Sequence, residues 1–81
     1  MTIWRVKWDD GSTDTFFSDK KEAIAAVINK IMSFYDDLEV AMSEINDFTF
    51  NFDKNPDEFG CDTAKVSEVH VVWRRNLWTM L

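Results

Sequence analysis

The chain has 81 residues, 46 % hydrophobic and 15 % aromatic, with a net charge of -6. That length allows a single domain, 1–81, and the aromatic content can build its core without disulfides or metal. A lone cysteine, Cys61, excludes an internal disulfide, the two glycines exclude a glycine-rich phosphate loop, and no apolar run approaches a membrane span. With no signal-peptide pattern at the start, the expectation is a complete small cytoplasmic protein in a reducing compartment.

The first element is a strand. "TIWRVKW" alternates, placing Trp4, Val6 and Trp8 on one face and Ile3, Arg5 and Lys7 on the other. "DG" at Asp10-Gly11 predicts a two-residue type I′ hairpin turn, in which both central residues take positive φ. The register then sets Trp8 against Thr13, Lys7 against Asp14, Val6 against Thr15, Arg5 against Phe16 and Trp4 against Phe17.

A helix follows. Asp19 with Glu22 fits a capping box, and Ile24, Val27, Ile28, Ile31 and Tyr35 fall at helical spacing. Leu38, Ala41, Met42 and Ile45 repeat that spacing. One helix over 19–46 would run about 42 Å, long for this domain. Two helices broken near "SFYDD" fit better, with Ser33, Asp36 and Asp37 as candidate N-caps of the second. "LEVAMSEI" also alternates weakly, so a strand is an alternative there.

In "FTFNFD", Phe48, Phe50 and Phe52 alternate with Thr49, Asn51 and Asp53, which predicts a strand with one buried face. "DKNPDEFGCD" reads as a turn cluster punctuated by Pro56 and Gly60. The last strand is "AKVSEVHVVWRRN", with Val69, Val71 and Trp73 on the core face and Val66, His70 and Val72 on the other. "LWTML" continues it or forms a hydrophobic tail. The expected fold class is α+β: β-hairpin, one long helix or two, β-hairpin, with the antiparallel sheet carrying a helical layer on one face.

Charge is unevenly distributed. Residues 36–62 hold nine acids against Lys54 alone, a net of -8, while residues 1–35 balance and residues 63–81 net +2. Such a block repels nucleic acid and anionic membrane and attracts basic partners. The residues expected to carry that attraction are Asp36, Asp37, Glu39, Glu44, Asp47, Asp57, Glu58 and Asp62. A weaker aromatic and basic group, Arg74, Arg75 and Trp78, is a second candidate contact.

Other constellations point to ordinary structure. Asp53, Asn55 and Asp57 match the first calcium-ligand positions of an EF-hand loop. Glu58 stands where its glycine is required and Ala64 where its bidentate glutamate is required, so an Asx-rich turn is expected and no metal. Cys61 and His70 would serve as nucleophile and base only if adjacent in space, and nothing in the sequence places them so. Two arginines beside Trp73 and Trp78 neutralise too few phosphates for direct nucleic-acid binding.

The expectation is a non-enzymatic acidic protein-binding module without cofactor. By analogy of charge it suggests a phage-type inhibitor or nucleic-acid mimic, one that occupies the basic groove of a nucleic-acid-binding protein. The alternative is a small assembly module that homodimerises through an edge strand or the C-terminal hydrophobic tail.

Overall fold

The alternation in "TIWRVKW" is realised as strand β1, Thr2–Trp8, in the computed structural model, which describes residues 2–70. Strand β2, Thr15–Phe17, pairs with it antiparallel: Trp4 opposite Phe17, Arg5 opposite Phe16, Val6 opposite Thr15. That is the expected register. The turn is of another kind. Gly11 takes φ +84°, but Asp10 does not take positive φ, so no type I′ turn forms. Asp10 Oδ1 instead accepts the Ser12 N–H at 2.9 Å, an Asx turn. The ladder ends at Thr15, so the Lys7–Asp14 and Trp8–Thr13 pairs are not part of it, and Trp8 Nε1 donates to Thr15 Oγ1 at 3.0 Å.

Helix α1 spans Lys20–Phe34 and is capped by Asp19, whose Oδ1 accepts the Lys21 N–H at 3.0 Å. Ala23, Val27 and Ile31, each one turn apart, are fully buried, with Ile24, Ile28 and Tyr35 packed beside them. Helix α2 spans Leu38–Lys54, so the chain does break near "SFYDD". Asp37 is the N-cap, accepting the Glu39 N–H at 2.9 Å.

The expected strand over 48–53 is instead the last part of α2. Residues two apart on a helix point about 200° away from each other, so the three phenylalanines cannot share a face. Phe48 is buried and Phe52, one turn later, packs against the core, while Phe50 is 62 % exposed. The Lys54 ammonium lies 5.6 Å from the Phe50 ring.

The second hairpin begins later than expected. Strand β3 is Glu58–Gly60 and strand β4 is Ala64–His70, giving an antiparallel sheet of order β2-β1-β4-β3. The two seven-residue strands lie at its centre, paired from Thr2 opposite His70 to Trp8 opposite Ala64. Both helices cover one face, an α+β fold. That face carries Trp4, Val6, Ala64 and Val66, all buried. Val69 is therefore on the opposite face, beside Ile3, which corrects the expected orientation of β4. Because Val6 pairs with Val66, the hydrophobic face of β1 sets which face of β4 turns inward. Val71 and Trp73, expected in the core, lie outside the described residues.

Phe59 completes the core from β3. Its ring centroid is 5.3 Å from that of Phe48 and 4.8 Å from that of Phe52, the latter edge-to-face. The Lys20 ammonium sits 4.8 Å from the Trp4 ring and 4.6 Å from the Phe52 ring, covering the rim of this aromatic group.

Candidate functional site

Glu44 organises the acidic region, and it does so from inside. It stands three residues after Ala41 and four before Phe48, on the buried stripe of α2, and is 8 % exposed. A buried carboxylate is tolerated only when its oxygens are paired. Here Tyr35, the C-cap of α1, donates its hydroxyl to Oε2 at 2.7 Å, and the Asp62 N–H donates to Oε1 at 3.0 Å. One side chain thus ties together the end of α1, the core face of α2 and the β3–β4 turn. Glu44 was expected on the acidic surface; it belongs to the support beneath it. The hydrogen bond to Glu44 raises the Tyr35 phenol above its ordinary value.

Above this clamp lies an open cleft of about 370 Å³. Val40, Ser43 and Asp47, at i, i+3 and i+7 of α2, form one wall, and Asp37, Glu39 and Asp62 complete the acidic rim. Asp37, Glu39, Asp47 and Asp62 are all exposed, as is Asp36 beside them in the chain. Among the described residues, none of the five forms an ion pair, and no basic side chain lines the cleft. Asp37 serves both the cleft and the helix cap.

Asp57 and Glu58, two further acids singled out in the sequence, do not line this cleft. Glu58 pairs across the hairpin with Lys65, whose hydrogen bond and charge hold its carboxyl below the usual value. Asp57 is exposed at the start of β3, and its backbone carbonyl accepts the Glu68 N–H at 3.0 Å. Asn55 caps the end of α2 and its Oδ1 accepts the Asp57 N–H at 3.3 Å, an Asx turn. Arg74, Arg75 and Trp78 lie outside the described residues.

Three of the bases lie across the sheet from the cleft. Arg5, Lys7 and Lys65 project from the sheet face that carries no helix, where Glu58 also sits. The cleft acids on α2 belong to the helical side of the molecule. Lys20, Lys21 and Lys30 of α1 and Lys54 of α2 share that side, so it is the lining of the cleft, not the whole helical side, that carries no base.

Cys61 and His70 are kept apart. The Cys61 N–H donates to the Ala64 carbonyl at 2.9 Å, so Cys61 stays at the start of β4, and His70 is its last residue. His70 is six residue steps along the strand from Ala64, about 20 Å. Burial raises the Cys61 thiol above its ordinary value, and His70 is turned to Glu68 at 3.1 Å. These two residues do not form a nucleophile–base pair.

Sequence reasoning missed Tyr35, Val40 and Ser43 as parts of this region. The helical phase of Glu44 with Ala41 and Phe48 was the available signal, and the strand reading of "FTFNFD" concealed it. Among the described residues, no helix is long and apolar enough to cross a membrane. Comparison with family models, with curated proteins and with solved structures finds no match.

Proposed function

We propose that the protein is a non-enzymatic acidic binding module whose cleft face occupies the basic groove of a nucleic-acid-binding protein. The observation that carries this reading is the grouping of Asp37, Glu39, Asp47 and Asp62 around one cleft with no cation in its lining. Glu39 and Asp47 are eight residues apart on α2, about 12 Å along its axis. Charge drawn out along a line suits an extended basic groove better than a single cation. Fields of this kind speed association and fade as salt shortens the Debye length from about 10 Å at 0.1 M to about 3 Å at 1 M.

The test compares two doubly reversed variants of equal charge. Glu39→Lys with Asp47→Lys alters the cleft; Asp53→Lys with Asp57→Lys alters exposed acids elsewhere. Partners are captured from lysate at low and high salt, identified, and challenged with duplex DNA. The wild type and the second variant are expected to retain basic nucleic-acid-binding proteins that DNA displaces and salt releases. The first variant is expected to lose them. Identical capture by both variants overturns the reading.

The alternative, a homodimer through a sheet edge, has less to work with. Both edge strands, β2 and β3, are three residues long, and short edges offer few unpaired backbone groups. The hydrophobic tail expected to offer a second route lies outside the described residues.

A further inference from the structure

The acidic cleft does not stand alone. A second depression, of about 190 Å³, adjoins it, and Tyr35 and Asp62 line both. Phe34 forms the apolar wall of this second depression and is 68 % exposed. Val40, 45 % exposed, lies in the wall of the cleft. A volume below the roughly 300–1,000 Å³ of small-molecule pockets suits one side chain of a partner chain.

From this arrangement we infer that the partner segment seated here is basic and amphipathic, with Lys or Arg side chains beside a large apolar one. The apolar group enters the depression at Phe34, and the cations meet Glu39, Asp47 and Asp62. The inference rests on the acidic-module reading above and names the chemistry of its partner.

Three observations support it. Phe34 and Val40 stand exposed beside the acidic rim, and an apolar centre with a charged rim is the usual anatomy of a protein interface. The apolar wall is also held in place. The Phe34 ring stands edge-to-face on Tyr35 at 5.1 Å, and Tyr35 is fixed by Glu44, so little side-chain freedom remains to be lost on binding. Finally, the one cation in the lining, Lys30, is engaged with Asp10 at 3.4 Å, while Asp9 and Asp62 form no ion pair among the described residues. Charge complementarity therefore calls for a basic occupant.

The experiment uses two labelled synthetic peptides of equal length and equal lysine count. One carries leucines at helical spacing; in the other serines replace them. Binding is followed by fluorescence anisotropy at about 0.15 M salt, where the Debye length is about 8 Å. The leucine peptide is expected to bind at least about tenfold more tightly, the effect of burying one large apolar side chain. Phe34→Ser, and separately Val40→Ser, should reduce that preference with an unchanged circular dichroism spectrum. Glu39→Lys with Asp47→Lys should weaken both peptides. Equal affinity for the two peptides, or a preference indifferent to Phe34→Ser, overturns the inference and leaves the acidic-module reading standing. Binding of neither overturns both. A concentration-dependent dimer in sedimentation that Phe34→Ser abolishes assigns the face to a second copy and also overturns the inference.

Discussion

Tyr35 and Glu44, nine residues apart, meet at 2.7 Å across the break between α1 and α2. Because the other Glu44 oxygen holds the Asp62 N–H, removing the carboxylate orphans two donors at once. Glu44→Ala is expected to cost about 2–3 kcal/mol in chemical denaturation, and Glu44→Gln less, since its amide oxygen still accepts one bond.

The same contact predicts a pH dependence. The Tyr35 phenol is raised in the folded state, so the folded protein holds that proton more tightly than the unfolded chain does. The resulting stability is fully present below the ordinary phenol value of 10.0 and is lost as pH rises through the higher folded value. Urea denaturation above pH 10 should show a steeper loss for the wild type than for Tyr35→Phe. Parallel profiles would remove Tyr35 as the cause.

The two ends of "FTF" separate helix from strand. Phe48 is 2 % exposed and Phe50 is 62 % exposed. Phe48→Ala is expected to cost about 3–5 kcal/mol, while Phe50→Ala should stay within about 0.5 kcal/mol of the wild type. Thermal unfolding of the two variants checks this, and equal losses would restore a strand with both rings inside.

The glycines should differ in how they respond to alanine. A Cβ at Gly60 would stand 2.6 Å from the Ala64 carbonyl oxygen and 2.9 Å from the Lys65 Cα, both backbone atoms of the paired strand. Gly60→Ala must shift the β3–β4 hairpin and is expected to cost about 1–3 kcal/mol. Gly11 has open space around it, and only its φ of +84° resists substitution. Gly11→Ala should cost about 1–2 kcal/mol, and Gly11→Asn less, because asparagine visits that region more readily.

Cys61 is half-buried, and burial lifts its thiol above the ordinary value. The reactive thiolate is therefore scarcer at neutral pH than in a free peptide. Its alkylation by iodoacetamide at pH 7 should be slower in the folded protein than in the chain unfolded in urea. A faster folded-state rate would mark Cys61 as activated.

Local physics made much of this fold legible in the sequence. The faces of β1 follow from period-two alternation in "TIWRVKW", and the β1–β2 register matches the one expected although the turn that joins the strands is of another kind. The start of α1 follows from Asp19, whose side chain caps the backbone two residues on, while Asp37 is one of three candidate caps for α2 and the structure selects it. The stripe of Val27 and Ile31 follows from helical spacing alone. Each of these depends on residues close together in the chain.

Tertiary structure decided what local pattern left open. "FTFNFD" satisfies a strand period and, through Phe48 and Phe52, a helical one. The helical phase prevailed because α2 had already aligned Ala41 and Glu44 with Phe48, and because Phe59 arrives from β3 to receive both rings. The inward face of β4 was set by pairing with Val6, since Val66 and Val69 are equally apolar. The cleft needed the same kind of information. The sequence shows a net charge of -8 between residues 36 and 62. Only the packing of the β3–β4 turn against α2 brings Asp62 beside Asp37, Glu39 and Asp47, buries Glu44 beneath them and sends Glu58 to the sheet.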